Sequence, residues 1–329
     1  MRFLSGMYWL EGDELRLPAG LYTARGEIMN SMNCELALKV DVNTLNGYLK
    51  GVPRLLDIFA KKGIRASFFF SMGPDNSGKA IRRMFRKGTL TKMAKMLRAG
   101  CGLKPLLYGT LLKAPMIAAS DPDIIKRAVG EGHDCGVRCW DHVLWRDCLS
   151  KLTKDEIRAE LSKAAELFSD ITGSPPGGCA APDWQVSPDS LAVQGELGFA
   201  YASDVRGVSP FLPSMEGACA FPFSRTIQIP TTLPTLDELC DAGMKAENVK
   251  DHYLDLLEPG LNVCTIHADM EGGYMSGIFS NLVDSCVDGE MTFPTLRDAA
   301  TRFGGSAAVC GVKMAEMPGR INKAAVQME

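Results

Sequence analysis

Short apolar runs ending in charged or amide side chains alternate along this chain with stretches of helical period. Residues 36–42 form the first such run. Residues 66–71 (ASFFFS) form the second, closed by the turn residues Gly73, Pro74, Asp75 and Asn76. Between them, residues 52–62 place Leu55, Leu56, Ile58 and Phe59 on one helical face. Residues 121–130 read as a helix begun by Asp121 and Pro122, and residues 135–138 as a short strand. A long amphipathic helix is predicted over 153–172, with Asp155 and Glu156 in its first turn and Gly173 just past its end. Further strands are predicted over 200–204, 226–231, 262–268 and 291–294. Apolar strands joined through helices imply a parallel sheet, whose ligands gather at the C-terminal strand ends. The polar ends here are Asp41 with Asn43, Arg138 with His142, Asp183, Asp204 with Arg206, and His267 with Asp269. Their recurrence predicts an α/β fold of the closed or nearly closed (β/α) barrel kind rather than an open sheet.

With 329 residues the chain can bury a large core as one α/β domain or two smaller ones. Its 46% apolar and 23% charged residues are ordinary for a globular protein. Glu11, Asp13 and Glu14 interrupt the apolar start, so no secretory signal core forms, and no long uncharged apolar run reads as a spanning helix. Eleven cysteines, an odd number without framework spacing, favour buried thiols in a reducing cytoplasm. Residues 1–34 read as an extension or an over-long start, 35–305 as the barrel, and 306–329 as a C-terminal tail.

Residues 76–120 break the pattern. They hold no acidic residue but ten basic ones, which leaves about −13 for the rest of a chain whose net charge is −3. Ile81, Met84, Phe85, Leu90, Met93, Met96 and Leu97 are interleaved at helical spacing, and the apolar stretch 105–112 (PLLYGTLL) follows. A basic amphipathic helix of this kind suits an anionic membrane surface, here through residues 79–113. The alternative is a helical insertion packed on the barrel with solvated lysines. Base-reading residues are sparse, so nucleic acid is not expected as a partner.

Chemistry is concentrated in few residues. Two histidines four apart commonly hold a zinc-class ion beside an aspartate. Residues 132–142 (GHDCGVRCWDH) carry Arg138 at the first such position and His142 at the second. Of the other histidines, His267 ends a strand beside Asp269. His133 precedes its strand and reads as structural, and His252 as solvated. With Asp41 at a third strand end, His142 and His267 suit a ligand and a general acid or base. The plain alternative is two hydrogen-bonded loop histidines.

Several segments, in one order, resemble a known family: KVDVNT from Lys39, GVPRLL from Gly51, FFFSMGPDN from Phe68, Gly132 with His133, WDH from Trp140, YASDVRG from Tyr201, IPTTLPTLDE from Ile229 and TIHADMEG from Thr265. The chain is similar over about 35–302 to the polysaccharide deacetylase (NodB-homology) superfamily. It most resembles the 4-deoxy-4-formamido-L-arabinose-phosphoundecaprenol deformylases of lipid A modification, which also carry a long insert where the basic segment falls. The resemblance implies a distorted (β/α) barrel and hydrolysis of a formyl or acetyl amide on an amino sugar. It further implies a polyprenyl-phosphate-linked substrate, met by a peripheral protein at the inner face of the cytoplasmic membrane. The family mechanism uses a divalent ion held by aspartate and two histidines, an aspartate base and a histidine acid. Asp41 matches the base, His267 the acid and His142 one ligand. Asn43 and Arg138 stand where the other two ligands are expected, which makes the site about two charge units more positive. The family's Pro-Gly-Trp-Arg loop is here Pro182, Asp183, Trp184 and Gln185. The cofactor expectation is therefore no metal or a weakly bound divalent one, with Arg138 in the metal's place, paired with Asp41 or Asp183. Arg138, Asp183, Trp184, Asp204 and Arg206 are the expected substrate contacts. A non-catalytic glycolipid- or partner-binding descendant and a metal-independent amidase are the competing expectations.

Overall fold

The computed structural model describes residues 34–79, 104–215, 226–318, 320 and 322–328. In chain order, the first half contains β1 (Cys34–Val42), α1 (Val52–Lys62), β2 (Ser67–Phe70), α2 (Pro122–Gly130), β3 (Asp134–Val137), α3 (His142–Cys148) and α4 (Lys154–Thr172). There follow β4 (Gly178–Cys179), α5 (Pro188–Glu196), β5 (Tyr201–Ala202), β6 (Phe211–Ser214), β7 (Ile227–Gln228), α6 (Leu236–Asp241) and α7 (Val249–Leu256). The last elements are β8 (Gly260–His267), α8 (Ser276–Asp288), α9 (Leu296–Phe303), β9 (Ala308–Ala315) and β10 (Ala324–Gln327).

The sheet order is β10-β9-β6-β7-β5-β4-β3-β2-β1-β8, and the run from β7 to β8 is parallel throughout. It curls until its ends meet: the amides of Thr232 and Leu233, just past β7, both donate to the carbonyl of Val263 on β8 at 3.1 Å. That contact makes the predicted barrel, distorted because β4, β5 and β7 are only two residues long. Residues 306–329, expected as a tail, carry β9 and β10, which extend the sheet through β6 beyond the barrel. Residues 226–231 and 291–294 form less strand than expected, because Pro230 and Pro294 lack the N–H a ladder needs. Thr292 makes only a bridge to Glu35 and accepts from the amide of Leu36 at 2.9 Å.

Successive side chains of a strand point to opposite faces, and β1 shows what this does here. Leu36, Leu38, Val40 and Val42 join the large cluster that includes Leu55, Leu56 and Phe59 of α1, together with Phe68 and Phe70. Ala37 packs instead with Phe69, Tyr201, Ile229 and Val263. Lys39 and Asp41 follow Ala37 at intervals of two and share that second face, the barrel interior. The interior is thus layered. Near the N-terminal strand ends, Asp134 accepts from the Ser67 hydroxyl and Arg297 Nε, each at 2.9 Å, and from the Tyr201 hydroxyl. In the middle, Thr231 and Thr265 share a hydroxyl hydrogen bond of 2.8 Å. The third layer, at the C-terminal strand ends, is the polar cluster described below.

The helices are closed as their sequence signals require. The amphipathic helix α4 begins with a capping box between Thr153 and Glu156 and ends at Gly173, whose φ of 76° is the left-handed cap that glycine adopts without strain. The nine cysteines among the described residues are free thiols. The expected basic helix, with Ile81 through Leu97, lies outside the described residues. The two ends of that segment are held side by side, the Asp75 amide donating to Pro115 O and the Ile117 amide to Gly73 O, both at 2.8 Å.

Candidate active site

Asp41 and His267 are register partners on neighbouring strands, β1 and β8, at the C-terminal mouth of the barrel. Arg138 follows β3 and turns its guanidinium to Asp41. Its second terminal nitrogen donates to the Ala181 carbonyl at 3.1 Å, and its Nε finds no partner among the described residues. Arg138 is 2% exposed and Asp41 3%. Of the two partners considered for Arg138, the structure selects Asp41. Asp183 faces another way, bound by Arg320 and by Asn322 Nδ2 at 2.9 Å.

Burial pushes the Asp41 carboxyl up, but Arg138, Lys39 and His267 outweigh it and hold the group below the usual carboxylate value. Burial pulls the His267 imidazole down, yet Asp237, Glu271, Asp41 and Asp269 more than offset that and raise it. Asp237 Oδ1 stands 3.7 Å from His267 Nδ1, and Glu271 accepts from the His267 amide at 2.8 Å. Glu271 itself is pushed up to about 7 by burial. The mouth thus holds a persistent carboxylate beside a fixed guanidinium, and a histidine that keeps its proton beyond the ordinary range.

Three expected substrate contacts are redirected inward. Asp204 is fully buried and accepts from the Ala181 amide at 2.6 Å, Gln194 Nε2 at 2.7 Å and Gln228 Nε2 at 3.1 Å. It positions the 181–185 loop instead of facing a ligand. Arg206 is buried against Glu238 at 3.3 Å and the Trp184 ring at 5.0 Å. Trp184 is itself buried, with Lys39 at 5.5 Å and Arg320 at 4.5 Å from its ring, and donates to Thr231 Oγ1 at 3.3 Å. Asp183 and Trp184 both have positive φ, 56° and 52°, so this loop is strained and kept in place by its partners. Aspartate tolerates the left-handed region better than most residues, which accounts for its standing where the family pattern has glycine.

His142 opens α3, whose N-cap Asp141 accepts from the amides of Val143 and Leu144 at 3.0 Å. Asn43 Oδ1 is a buried acceptor with no partner among the described residues. A divalent ion does not fit these residues. The guanidinium of Arg138 carries positive charge into the place a ligand would fill and cannot coordinate, and Asn43 contributes no charge. Among the described residues no group of three His, Cys, Asp or Glu side chains could hold a metal. His133 is structural as read, accepting from the Ala66 amide at 3.1 Å and packing on Phe59 and Phe68. His252, expected to be solvated, is buried on α7, and burial lowers it.

Lys39, Glu238, Asp237, Glu271 and Arg320 were not singled out by sequence reasoning. Lys39 had a signal, lying two residues before Asp41 and so on the same strand face. Arg320 had none, because its partners Asp183 and Glu238 are distant in the chain.

The fold is a (β/α) barrel that sets an aspartate and a histidine, Asp41 and His267, side by side on adjoining strand ends. Residues 43–202 match the model of the polysaccharide deacetylase family. The chain belongs to that family and is a hydrolase of the carbohydrate deformylase or deacetylase kind. It is 37% identical over 262 residues to a probable 4-deoxy-4-formamido-L-arabinose-phosphoundecaprenol deformylase ArnD of Shewanella sediminis (strain HAW-EB3), covering 79% of this chain and 83% of that one. A protein of the same description from Wigglesworthia glossinidia brevipalpis is 29% identical over 275 residues, covering 82% and 94% respectively. The crystal structure of a probable polysaccharide deacetylase from Pseudomonas aeruginosa PAO1 has the same fold, with a TM-score of 0.58 at 15% identity, covering 83% of this chain and 92% of that one.

Proposed function

We propose that the chain hydrolyses a formyl or acetyl amide on an amino sugar carried by a polyprenyl phosphate, acting peripherally at the inner face of the cytoplasmic membrane. The Asp41–Arg138 pair, one strand from His267, carries this reading, and the two probable deformylases supply the substrate class. Asp41 takes a proton from water as the water oxygen bonds to the amide carbon. The carbonyl oxygen becomes an oxyanion, drawn to the positive charge of the Arg138 guanidinium. As that charge forms, it competes with Asp41 for the guanidinium, so Asp41 becomes a better base while the step proceeds. His267 then donates its proton to the amine nitrogen, the C–N bond breaks, and formic or acetic acid leaves with the free amino sugar. The proton held by Asp41 passes back to His267 to restore the pair.

The membrane setting is supported by the basic segment and by the turn that follows it. Leu111 is 81% exposed, Leu112 is exposed beside it, and both lie between the exposed Lys104 and Lys113. No helix of the described residues is long and apolar enough to cross a membrane.

Release of formate from formamido-arabinose polyprenyl phosphate, measured with a chelator present, tests the reaction. Wild-type turnover that disappears in Asp41→Asn is the expected result. Turnover confined to the double variant Asn43→Asp, Arg138→His with added metal would instead identify a binding descendant with a disabled site.

A further inference from the structure

Lys39 is 0% exposed in the layer directly beneath the Asp41–Arg138 pair. Its ammonium lies 3.9 Å from Asp41 Oδ1 and donates to the Ser203 carbonyl at 2.6 Å. A buried ammonium needs compensating partners to stay charged. The charged groups facing Lys39 are Asp41 and Asp204, which favour its proton, and Arg138 and Arg206, which oppose it. Asp204 is occupied by one amide and two glutamines. Asp41 is therefore shared by two cations, and the trio carries a net charge of about +1.

We propose that Lys39 is a positioning residue of this site: with Arg138 it supplies two fixed positive charges around Asp41, which together stand in for a divalent ion. Arg138 meets the oxyanion of the substrate. Lys39 does not touch it, but keeps Asp41 a carboxylate and leaves the mouth positive enough to receive an anion. This role deepens the proposed amide hydrolysis and rests on it for its catalytic meaning. The charge arrangement itself can be read without turnover. Burial holds Lys39 down to about 8, so the arrangement is complete below that pH and fails as the ammonium loses its proton above it.

The full-length protein, treated with chelator, is compared with Lys39→Met, which keeps the chain length and removes the charge, and with Lys39→Arg. Formate serves as the anion probe, its affinity measured by calorimetry at pH 7, with circular dichroism to confirm folding. Lys39→Met is expected to weaken formate binding about tenfold or more, and Lys39→Arg to retain it. In turnover, Lys39→Met should lose about 100-fold in kcat. Lys39→Arg should stay active and move the alkaline limb of the kcat/KM profile upward by roughly one pH unit or more. Wild-type formate affinity in folded Lys39→Met, no formate binding by the wild type, or an alkaline limb unmoved in an active Lys39→Arg would each overturn the proposal. A wild type that binds formate in this Lys39-dependent way yet hydrolyses no lipid-linked amide would overturn the proposed reaction alone. Should Lys39→Met fail to fold, the Lys39→Arg binding and pH profile decide the matter.

Discussion

Arg138 and Asp41 are both buried, so each depends on the other for its charge to be tolerated. Replacing Arg138 by methionine leaves Asp41 with Lys39 and His267 to offset its charge. Loss of one partner of a buried pair costs about 3–5 kcal/mol, whereas replacing both can be nearly neutral. Arg138→Met should therefore lower urea stability by that amount. The double change Arg138→Met, Asp41→Asn should recover most of the loss, giving a large coupling energy in the double-mutant cycle. A single-variant loss under about 1 kcal/mol would mean that the pair is not the buried lock described. Much of this site was legible residue by residue. Asp41, Arg138 and His267 could be placed because each ends an apolar run, and strand ends of a parallel barrel converge. What could not be read was which side chains turn away from the mouth. Asp204 and Arg206 also end a strand, but two glutamines, Glu238 and the Trp184 ring draw them into the interior. Such partners come together only through the finished fold.

Two buried glutamates, on different elements, each accept from a backbone amide at the C-terminal strand ends. Glu160, on α4, accepts from the Asp141 amide at 2.7 Å, beside the start of α3. Glu271, in the π-helical turn Met270–Tyr274 after β8, accepts from the His267 amide at 2.8 Å. Burial pushes both carboxyls up to about 7. A carboxyl raised on folding binds its proton more tightly in the native state, so it favours folding at low pH. That contribution is lost as pH rises from the unfolded value near 4.5 through 7. The urea midpoint should accordingly fall between pH 5 and pH 7.5, and Glu160→Gln with Glu271→Gln should flatten that fall while retaining an oxygen acceptor at each turn. An undiminished slope in the double variant would assign the pH dependence elsewhere. At this scale the strand–helix alternation was legible because buried parallel strands read as unbroken apolar runs, as Ser67–Phe70 does. The joining of β9 and β10 to the sheet was not. β9 reads AVCGVKMA, an apolar stretch that places Cys310 in a strand, but only Val312 of it is buried, and the run does not say which strand it pairs with.

Across the molecule, the mouth of the barrel and the basic segment are mechanically joined. Asp75 accepts from the Leu45 amide in the loop after β1 at 2.8 Å, and Asn76 Nδ2 donates to Asp141 at 2.6 Å. The segment therefore leaves and re-enters the barrel at the same end as Asp41, Arg138 and His267. Its described return path closes a tight turn in which the Leu112 amide donates to Leu107 O at 2.9 Å and the Gly109 amide to Leu112 O at 2.8 Å. Gly109 has a φ of 73° and lies so close to Asn76 that a side chain there would collide with it, which ties the turn to the mouth. The turn holds Leu111 out in solvent with Leu112 partly exposed beside it, and burial in lipid would gain roughly 1.5–3 kcal/mol for Leu111 and less for Leu112. Flanking lysines would add about 1 kcal/mol apiece near an anionic surface. An apolar tip inside a basic surround fits the boundary between headgroups and acyl chains, and it would bring the mouth to a substrate whose lipid stays in the bilayer. Sedimentation with liposomes containing anionic lipid should retain the protein at low salt and release part of it as salt rises, because screening removes the lysine share but not the leucine share. Leu111→Asp with Leu112→Asp should reduce retention at every salt concentration while leaving hydrolysis of a detergent-dispersed substrate unchanged. Retention that depends on salt alone and ignores both leucines would remove the wedge and leave the basic segment as the sole anchor.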